Sequence, residues 1–240
     1  MKKFTALFLL ISMIFTFTAC GGNTSSLAST TTSTTSAKAD TTAPQTEADA
    51  TTTTEISQNS ANTDTNTTKT LVAYFSRAGE NYNVGNVEKG NTNIVADMIA
   101  EETNADTFEI ARSTPYPESY EECTEEAKQE QNANARPTIT ATIDNFDDYD
   151  VIFIGYPIWW GDMPMPVYTF LESYDFSGKT VIPFCTHEGS GLSSTESSIA
   201  STCAGANVLE GLSITGSTAQ NEPDTTKQTV DEWLGKLDIK

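Results

Sequence analysis

Residues 151–155 read Val-Ile-Phe-Ile-Gly with no polar break, a pattern that suits a strand buried on both faces. Such a strand needs helices above and below it, and the chain supplies them. Short β-branched and aromatic runs alternate with longer helical stretches, as in a parallel sheet covered on both sides. The runs are 70–76 (TLVAYFS), 106–111 (DTFEIA), 151–155, 180–185 (TVIPFC) and a weaker one near 208–214. Between the first two, Asn91-Thr92-Asn93 offers a helix cap ahead of Ile94, Val95, Met98 and Ile99 at helical spacing. A charged stretch from Pro117 to about Ala135 reads as a surface helix that stops at Arg136-Pro137. A helix from about Pro164 to Ser173 takes its prolines in the first turn, and another runs to about Cys203. The last, Thr225 to Leu237, places Val230, Trp233, Leu234 and Leu237 on one face. These elements predict an α/β fold: a doubly wound, five-stranded parallel sheet in three α/β/α layers, with ligands bound beyond the carboxyl ends of its central strands.

The N-terminus is of another kind. Lys2 and Lys3 precede a run from Phe4 to Phe17 that is apolar apart from Thr and Ser, followed by Thr18, Ala19 and Cys20. The run is shorter than the roughly 20 apolar residues of a spanning helix and reads as a secretion signal. Phe-Thr-Ala-Cys resembles the lipobox of bacterial lipoproteins, in which the cysteine is diacylated and becomes the new N-terminus. That makes 1–19 a signal peptide and Cys20 a lipidation site, with the protein held at the extracytoplasmic face of the cell membrane. An ordinary cleaved signal that happens to contain a cysteine is the alternative. Acyl chains anchor through about 0.8 kcal/mol per buried methylene. From Gly21 to Thr68 the chain is dominated by Thr, Ser, Ala, Asn and Asp, too polar to offset its chain entropy, so 20–68 reads as a disordered tether. If flexible, it reaches roughly 35 to 40 Å.

The remaining residues, 69–240, are the size of one domain. They hold 28 of the chain's 33 acidic and 10 of its 13 basic residues, a formal charge of −18. Such a field repels nucleic acid and anionic lipid, and suits either high solubility or a basic partner. Beyond Cys20 there are three cysteines, Cys123, Cys185 and Cys203, with no Cys-x-x-Cys and no metal-ligand spacing; Cys185 and Cys203 read as buried free thiols. A single histidine in the whole chain argues against most zinc sites and nucleophile–histidine triads. No Gly-x-Ser-x-Gly elbow follows any strand.

Three segments follow strands directly and should meet at one edge of the sheet. In 76–92, Ser76, Gly90, Asn91 and Thr92 offer hydroxyls and backbone N–H groups at a helix N-terminus, where a phosphate can be held without a cation. Arg77 is the basic residue beside Ser76. A plain capped loop would look the same. In 156–163, Pro157, Ile158, Trp159, Trp160 and Gly161 follow the buried strand, and two adjacent tryptophans in a loop suit a planar ligand stacked on one of them. Covering of the core is the competing reading. In 186–191, Thr186, His187, Glu188, Gly189, Ser190 and Gly191 form a loop whose glycines let a backbone approach a flat ring. Gly189-Ser190-Gly191-Leu192-Ser193-Ser194 also approximates a dinucleotide fingerprint with its last glycine lost, with Glu210 as the distant acid.

Taken together, YFSRAGENYNVGNVEKGNTNIVADMIA, GYPIWWGDMPMPVYTFLE and VIPFCTHEGSG resemble the flavodoxin-like family, and the resemblance runs over essentially all of 69–240. STPYPESYEEC and ARP are similar to segments of a bacterial subgroup often found behind lipoprotein signals. The resemblance implies flavin mononucleotide (FMN) as cofactor, with its phosphate at Ser76 and Gly90 to Thr92 and its ring between 157–161 and 186–191. It implies electron transfer to a redox partner protein or a small-molecule acceptor, quinones included. Two departures stand out. Roughly a dozen residues, Gly79 to Lys89, interrupt the phosphate loop, and 186–191 lacks the tyrosine that many electron-carrying relatives place beside the ring. The interruption is the main argument for the alternative, a lipoprotein binding module that keeps the fold without flavin.

Overall fold

The structure is a computed structural model, and it describes residues 68–239; the signal, Cys20 and the tether lie outside the described residues. In chain order the elements are β1 (Thr70–Tyr74), β2 (Gly79–Asn81), β3 (Gly85–Val87), α1 (Asn91–Thr103), β4 (Asp106–Glu109), α2 (Tyr120–Ala133), β5 (Val151–Pro157), α3 (Met165–Leu171), β6 (Thr180–His187), α4 (Thr195–Thr202), β7 (Asn207–Val208), β8 (Leu212–Thr215), α5 (Gly216–Asn221) and α6 (Pro223–Leu234). The main sheet runs β4-β1-β5-β6, with β7 and β8 both paired to β6, and every pairing in it is parallel.

The alternation of side chains along the central strands makes the three layers. Leu71, Ala73, Phe75, Ile152, Ile154 and Tyr156 face one cluster, which Val167, Phe170 and Leu171 of α3 and Ile199 of α4 complete. Val72, Tyr74, Val151 and Phe153 face the other, closed by Val95 and Ile99 of α1 and Val230 and Trp233 of α6. Because β5 feeds both clusters, it needs an apolar residue at every position. Phe153 is wholly buried and meets the Trp233 ring edge-on at 5.7 Å; burying a side chain of this size contributes roughly 1.5–3 kcal/mol.

The fifth sheet position differs from the expected single strand. β7 pairs with Thr180 and Val181, and β8 with Phe184 to His187, so the ladder breaks opposite Ile182 and Pro183. A proline has no N–H to give such a ladder. The second strand stops at Glu109 and not at Ala111, although the Ile110 amide still bonds the Tyr74 carbonyl at 2.7 Å. The β6 strand runs two residues further than its apolar run suggested, which puts Thr186 and His187 on the strand itself.

The helix ends show corrections as well. α1 begins at Asn91 with Gly90 as its N-cap, so Asn91 to Asn93 form its first turn and not a cap ahead of it. α2 is shorter than 117–135 because Ser119 caps its start and Asn134, at φ 48°, ends it. α6 ends at Leu234, yet Leu234 and Leu237 both pack on the second cluster. Sequence reading missed α5 and the β2–β3 hairpin. Among the described residues, no helix is long and apolar enough to cross a membrane.

Candidate functional site

A parallel sheet delivers all its strand ends to one edge, and the three segments meet there. The first turn of α1 is tied to the end of β1 and to β6. The Asn93 amide donates to Ser76 Oγ at 3.1 Å, and the hydroxyls of Thr92 and Thr186, both buried, lie 2.8 Å apart. Gly90 allows this closeness: a Cβ there would lie 2.2 Å from Ser76 Oγ and 2.6 Å from the Arg77 carbonyl oxygen. The first amides of a helix have no carbonyl partner within it, so those of Asn91 and Thr92 point outward beside the Ser76 hydroxyl. Gln220 Nε2 holds Asn91 Oδ1 at 2.9 Å, which fixes α1 against α5.

Arg77 does not join this group. Its guanidinium donates to the carbonyls of Glu80, Pro117 and Glu118, so it is turned to the inserted segment and away from α1. The insertion folds out of the way as the β2–β3 hairpin, Gly79–Asn81 paired with Gly85–Val87. Ser76 and the start of α1 therefore remain neighbours across it. Lys89 forms an ion pair with Asp97.

The two tryptophans separate. Trp159 turns inward, edge-on to Phe75 at 5.4 Å and Tyr116 at 5.1 Å. Trp160 adopts φ +52°, unusual for a bulky residue, which sends its ring the other way, along α2. There Nε1 donates to the Thr124 carbonyl at 2.9 Å and Lys128 lies over the ring at 5.1 Å. Gly161 follows at φ +79°, and its carbonyl accepts from Ser193 Oγ at 2.7 Å. The Ile158 amide bonds the Thr186 carbonyl at 2.8 Å, extending the β5–β6 ladder into the loop.

Beyond β6 the histidine organises its own loop. His187 Nδ1 accepts from the amides of Gly189 at 2.8 Å and Gly191 at 3.1 Å, which requires a neutral ring with its proton on Nε2. Burial lowers its pKa from the ordinary value, with the nearby Glu188 charge opposing. Gly189 and Gly191 both take positive φ, and Ser190 sits exposed between them. Glu188 accepts from the Ser217 amide at 2.7 Å and from Asn83 Nδ2 at 3.0 Å. The three thiols Cys123, Cys185 and Cys203 are free and buried; Cys185 Sγ donates to the Gly191 carbonyl at 3.5 Å beneath this loop, and burial raises the three to about 11, 12 and 12.

At the centre lies a cleft of about 130 Å³ whose walls include Asn91, Ile158, Trp159, Thr186 and His187. Asn81, Tyr82 and Tyr120, which sequence reasoning did not select, also line it. Their signal was present: Tyr82 is the one aromatic residue in a polar insertion, and Tyr120 follows a helix-capping serine. A neighbouring groove of about 160 Å³ shares Tyr120, Ile158 and Trp159 and is closed by Trp160. A larger hollow, about 340 Å³, is lined by Phe75, Ser76, Arg77, Arg112 and Tyr116 among others; it has no wall residue in common with the cleft, to which Ser76 is joined only through its bond to the first turn of α1. We place the functional site at the cleft, because that is where the helix N-terminus and the strand ends converge. Among the described residues, no group of three or more His, Cys, Asp or Glu could hold a metal ion.

A doubly wound sheet with an anion-suited turn after its first strand and aromatic loops after its central strands has the flavodoxin-like α/β architecture, in which ligands bind beyond the carboxyl ends of the strands. The flavodoxin family model matches residues 69–236; the chain belongs to the flavodoxin family. A candidate flavoprotein from Bacteroides eggerthii is 30% identical over 72% of this chain and 99% of its own, with a TM-score of 0.58. A second, from Bacteroides uniformis, is 31% identical over 70% and 99%, with a TM-score of 0.56. A flavoprotein from Lactobacillus acidophilus, solved in complex with FMN, is 22% identical over 70% and 99%, with a TM-score of 0.51, and shares the fold. Among curated proteins none matches the chain significantly.

Proposed function

We propose that this protein binds FMN and transfers electrons at the extracytoplasmic face of the membrane, where diacylated Cys20 anchors it. The observation that carries the reading is the convergence, at one sheet edge, of unpaired α1 amides beside Ser76 with an aromatic cleft walled by Trp159. The donor set suits the cofactor. The amides of Asn91 and Thr92 and the Ser76 hydroxyl would hold the phosphate through helix-end dipoles. Pro157 to Trp159 and Thr186 to Gly189 would hold the ring. When bound, FMN supplies one- and two-electron chemistry that side chains lack. The chain's own part is to position it, to shield one face with Trp159 and to present hydrogen-bond partners along the β6 loop.

Membership of the flavodoxin family and the FMN-bound relative from Lactobacillus acidophilus support this reading. The interrupted phosphate loop does not count against it, since the insertion leaves Ser76 bonded to the start of α1. The groove between Tyr120 and Trp160 opens beside the cleft, and its apolar walls suit a small planar acceptor such as a quinone; a redox partner protein would use the same edge.

The test is to add FMN to the full chain, remove the excess and record the visible spectrum and tryptophan fluorescence. Retained flavin absorbance with quenched fluorescence is expected. A folded, colourless and unquenched protein refutes the reading and favours a binding module without flavin. For the anchor, Cys20→Ala should abolish incorporation of labelled palmitate and release the protein from membranes; labelling that survives the change would place the lipid elsewhere.

A further inference from the structure

The inserted segment Gly79–Lys89 is pinned at both ends. At its root, the Arg77 guanidinium donates to the Glu80 carbonyl, Asn81 Nδ2 donates to the carbonyls of Arg77 and Gly79 at 3.2 and 3.1 Å, and the Tyr120 amide donates to Glu80 Oε2 at 3.0 Å. At its tip, Asn83 Nδ2 reaches Glu188 Oε2 at 3.0 Å, and Glu188 is itself fixed by the Ser217 amide. The hairpin thus bridges from the phosphate turn to the β6 loop, over the cleft.

Between the pins stands Tyr82. It is 57% exposed, the most exposed large hydrophobic residue among those described, and its ring stacks on Tyr120 at 5.9 Å and 28°. It lines the same cleft as Trp159. The β6 loop offers no aromatic ring for this purpose: 186–191 contains no Phe, Tyr or Trp, and His187 is bound to its own loop amides. A ring lying against Trp159 would therefore have one face covered from β5 and the other open, except where the hairpin reaches.

We propose that Tyr82 stacks on the face of the flavin ring turned away from Trp159, so that the inserted hairpin supplies the wall the β6 loop lacks. This rests on the FMN reading above. Arg77 then acts as the residue that positions the hairpin, and Tyr82 as a positioning residue for the cofactor ring. An exposed aromatic held on a pinned segment costs little ordering on binding, since its backbone is already fixed.

The experiment titrates the full chain, as wild type, Tyr82→Ala and Tyr82→Phe, with FMN and separately with riboflavin, which has the ring and no phosphate. Y82A should weaken both ligands by the same factor, about 3- to 10-fold, and raise the fluorescence of the bound flavin. Y82F should stay within about twofold of wild type, and all three should melt together because Tyr82 is exposed. Normal wild-type binding with Y82A unchanged in affinity and fluorescence overturns the inference alone, as does a loss confined to FMN. Wild-type protein that binds neither ligand overturns the FMN reading and the inference with it.

Discussion

Replacing Gly90 with alanine should damage the protein through space alone. Its backbone, φ −66° and ψ 152°, is open to any residue, so conformational freedom is not the issue. The new Cβ would sit 2.2 Å from Ser76 Oγ, 2.6 Å from the Arg77 oxygen and 2.8 Å from the Arg77 carbonyl carbon. The serine could rotate away, but only by releasing the Asn93 amide it holds at 3.1 Å. The Arg77 carbonyl is backbone in the turn after β1 and can yield only if that turn moves. Overpacking of this kind costs about 1–3 kcal/mol, and the lost hydrogen bond about 0.5–1.5 kcal/mol, so the sum is about 1.5–4.5 kcal/mol. For a domain of this size that lowers the melting temperature by about 3 to 18 °C, read by circular dichroism. Adding Ser76→Ala should restore only part of the loss, because the Arg77 contact remains. Gly178→Ala is the control: its φ is +76° with nothing within 4 Å, so it carries only the left-handed penalty of about 1–2 kcal/mol. A Gly90→Ala protein melting within 2 °C (about 0.5–1 kcal/mol) of wild type would refute the close packing of α1 on the β1 turn.

Three further outcomes follow from the same geometry. Protonating His187 turns Nδ1 from acceptor to donor and breaks both loop bonds; its folded pKa is depressed, so the loop's stability is full above about pH 6.5 and declines as pH falls through the lower folded value. NMR shifts of the Gly189 and Gly191 amides should titrate with the His187 ring over that range and lose this step in His187→Ala. Arg77→Met removes charge-assisted bonds of about 1.5–3 kcal/mol each in favourable settings and should loosen the hairpin, lowering affinity for FMN and riboflavin equally; a loss selective for FMN would return Arg77 to the phosphate. Cys123, Cys185 and Cys203, buried with pKa values raised to about 11–12, should resist a disulfide reagent at pH 8 and react together on unfolding in urea; rapid labelling of the native protein would contradict their burial.

Much of the architecture was legible because it rests on periodicity. The unbroken run at 151–155 announces two covered faces, and Val230, Trp233, Leu234 and Leu237 recur at helical spacing whatever surrounds them. Their partners were legible only as classes, since which helix covers which face depends on chain crossings. The break opposite Ile182 and Pro183 was hidden because it depends on register between strands more than twenty residues apart. The site divides in the same way. Ser76, Gly90 to Thr92, Pro157 to Trp159, Thr186 and His187 were legible from their position after strands, which a parallel sheet converts directly into neighbourhood. Where Arg77 and Trp160 point was not legible, because their side-chain directions are set by distant carbonyls, those of Pro117, Glu118 and Thr124. Tyr82 and Tyr120 escaped notice for a related reason: a hairpin had to fold out of a polar insertion before either could reach the cleft.

The charge balance of the site gives the last prediction. A dianionic phosphate approaching a domain of formal charge −18 meets long-range repulsion, and the two nearby cations are too few to offset it: Arg77, still charged, is turned to three carbonyls, and Lys89 is paired with Asp97. What remains is local, the outward amides of α1 and the Ser76 hydroxyl, whose dipoles act at contact distance and are little affected by salt. The repulsion acts through solvent and is screened, the Debye length falling from about 30 Å at 0.01 M to about 8 Å at 0.15 M ionic strength. FMN affinity should therefore rise between those two conditions, and riboflavin, uncharged at neutral pH, should bind equally at both. A site built on free arginine or lysine does the opposite, because screening weakens attraction. Calorimetric titration of FMN at low and physiological salt separates the two cases, and an affinity that falls with salt would show that a cation has left its partner to hold the phosphate.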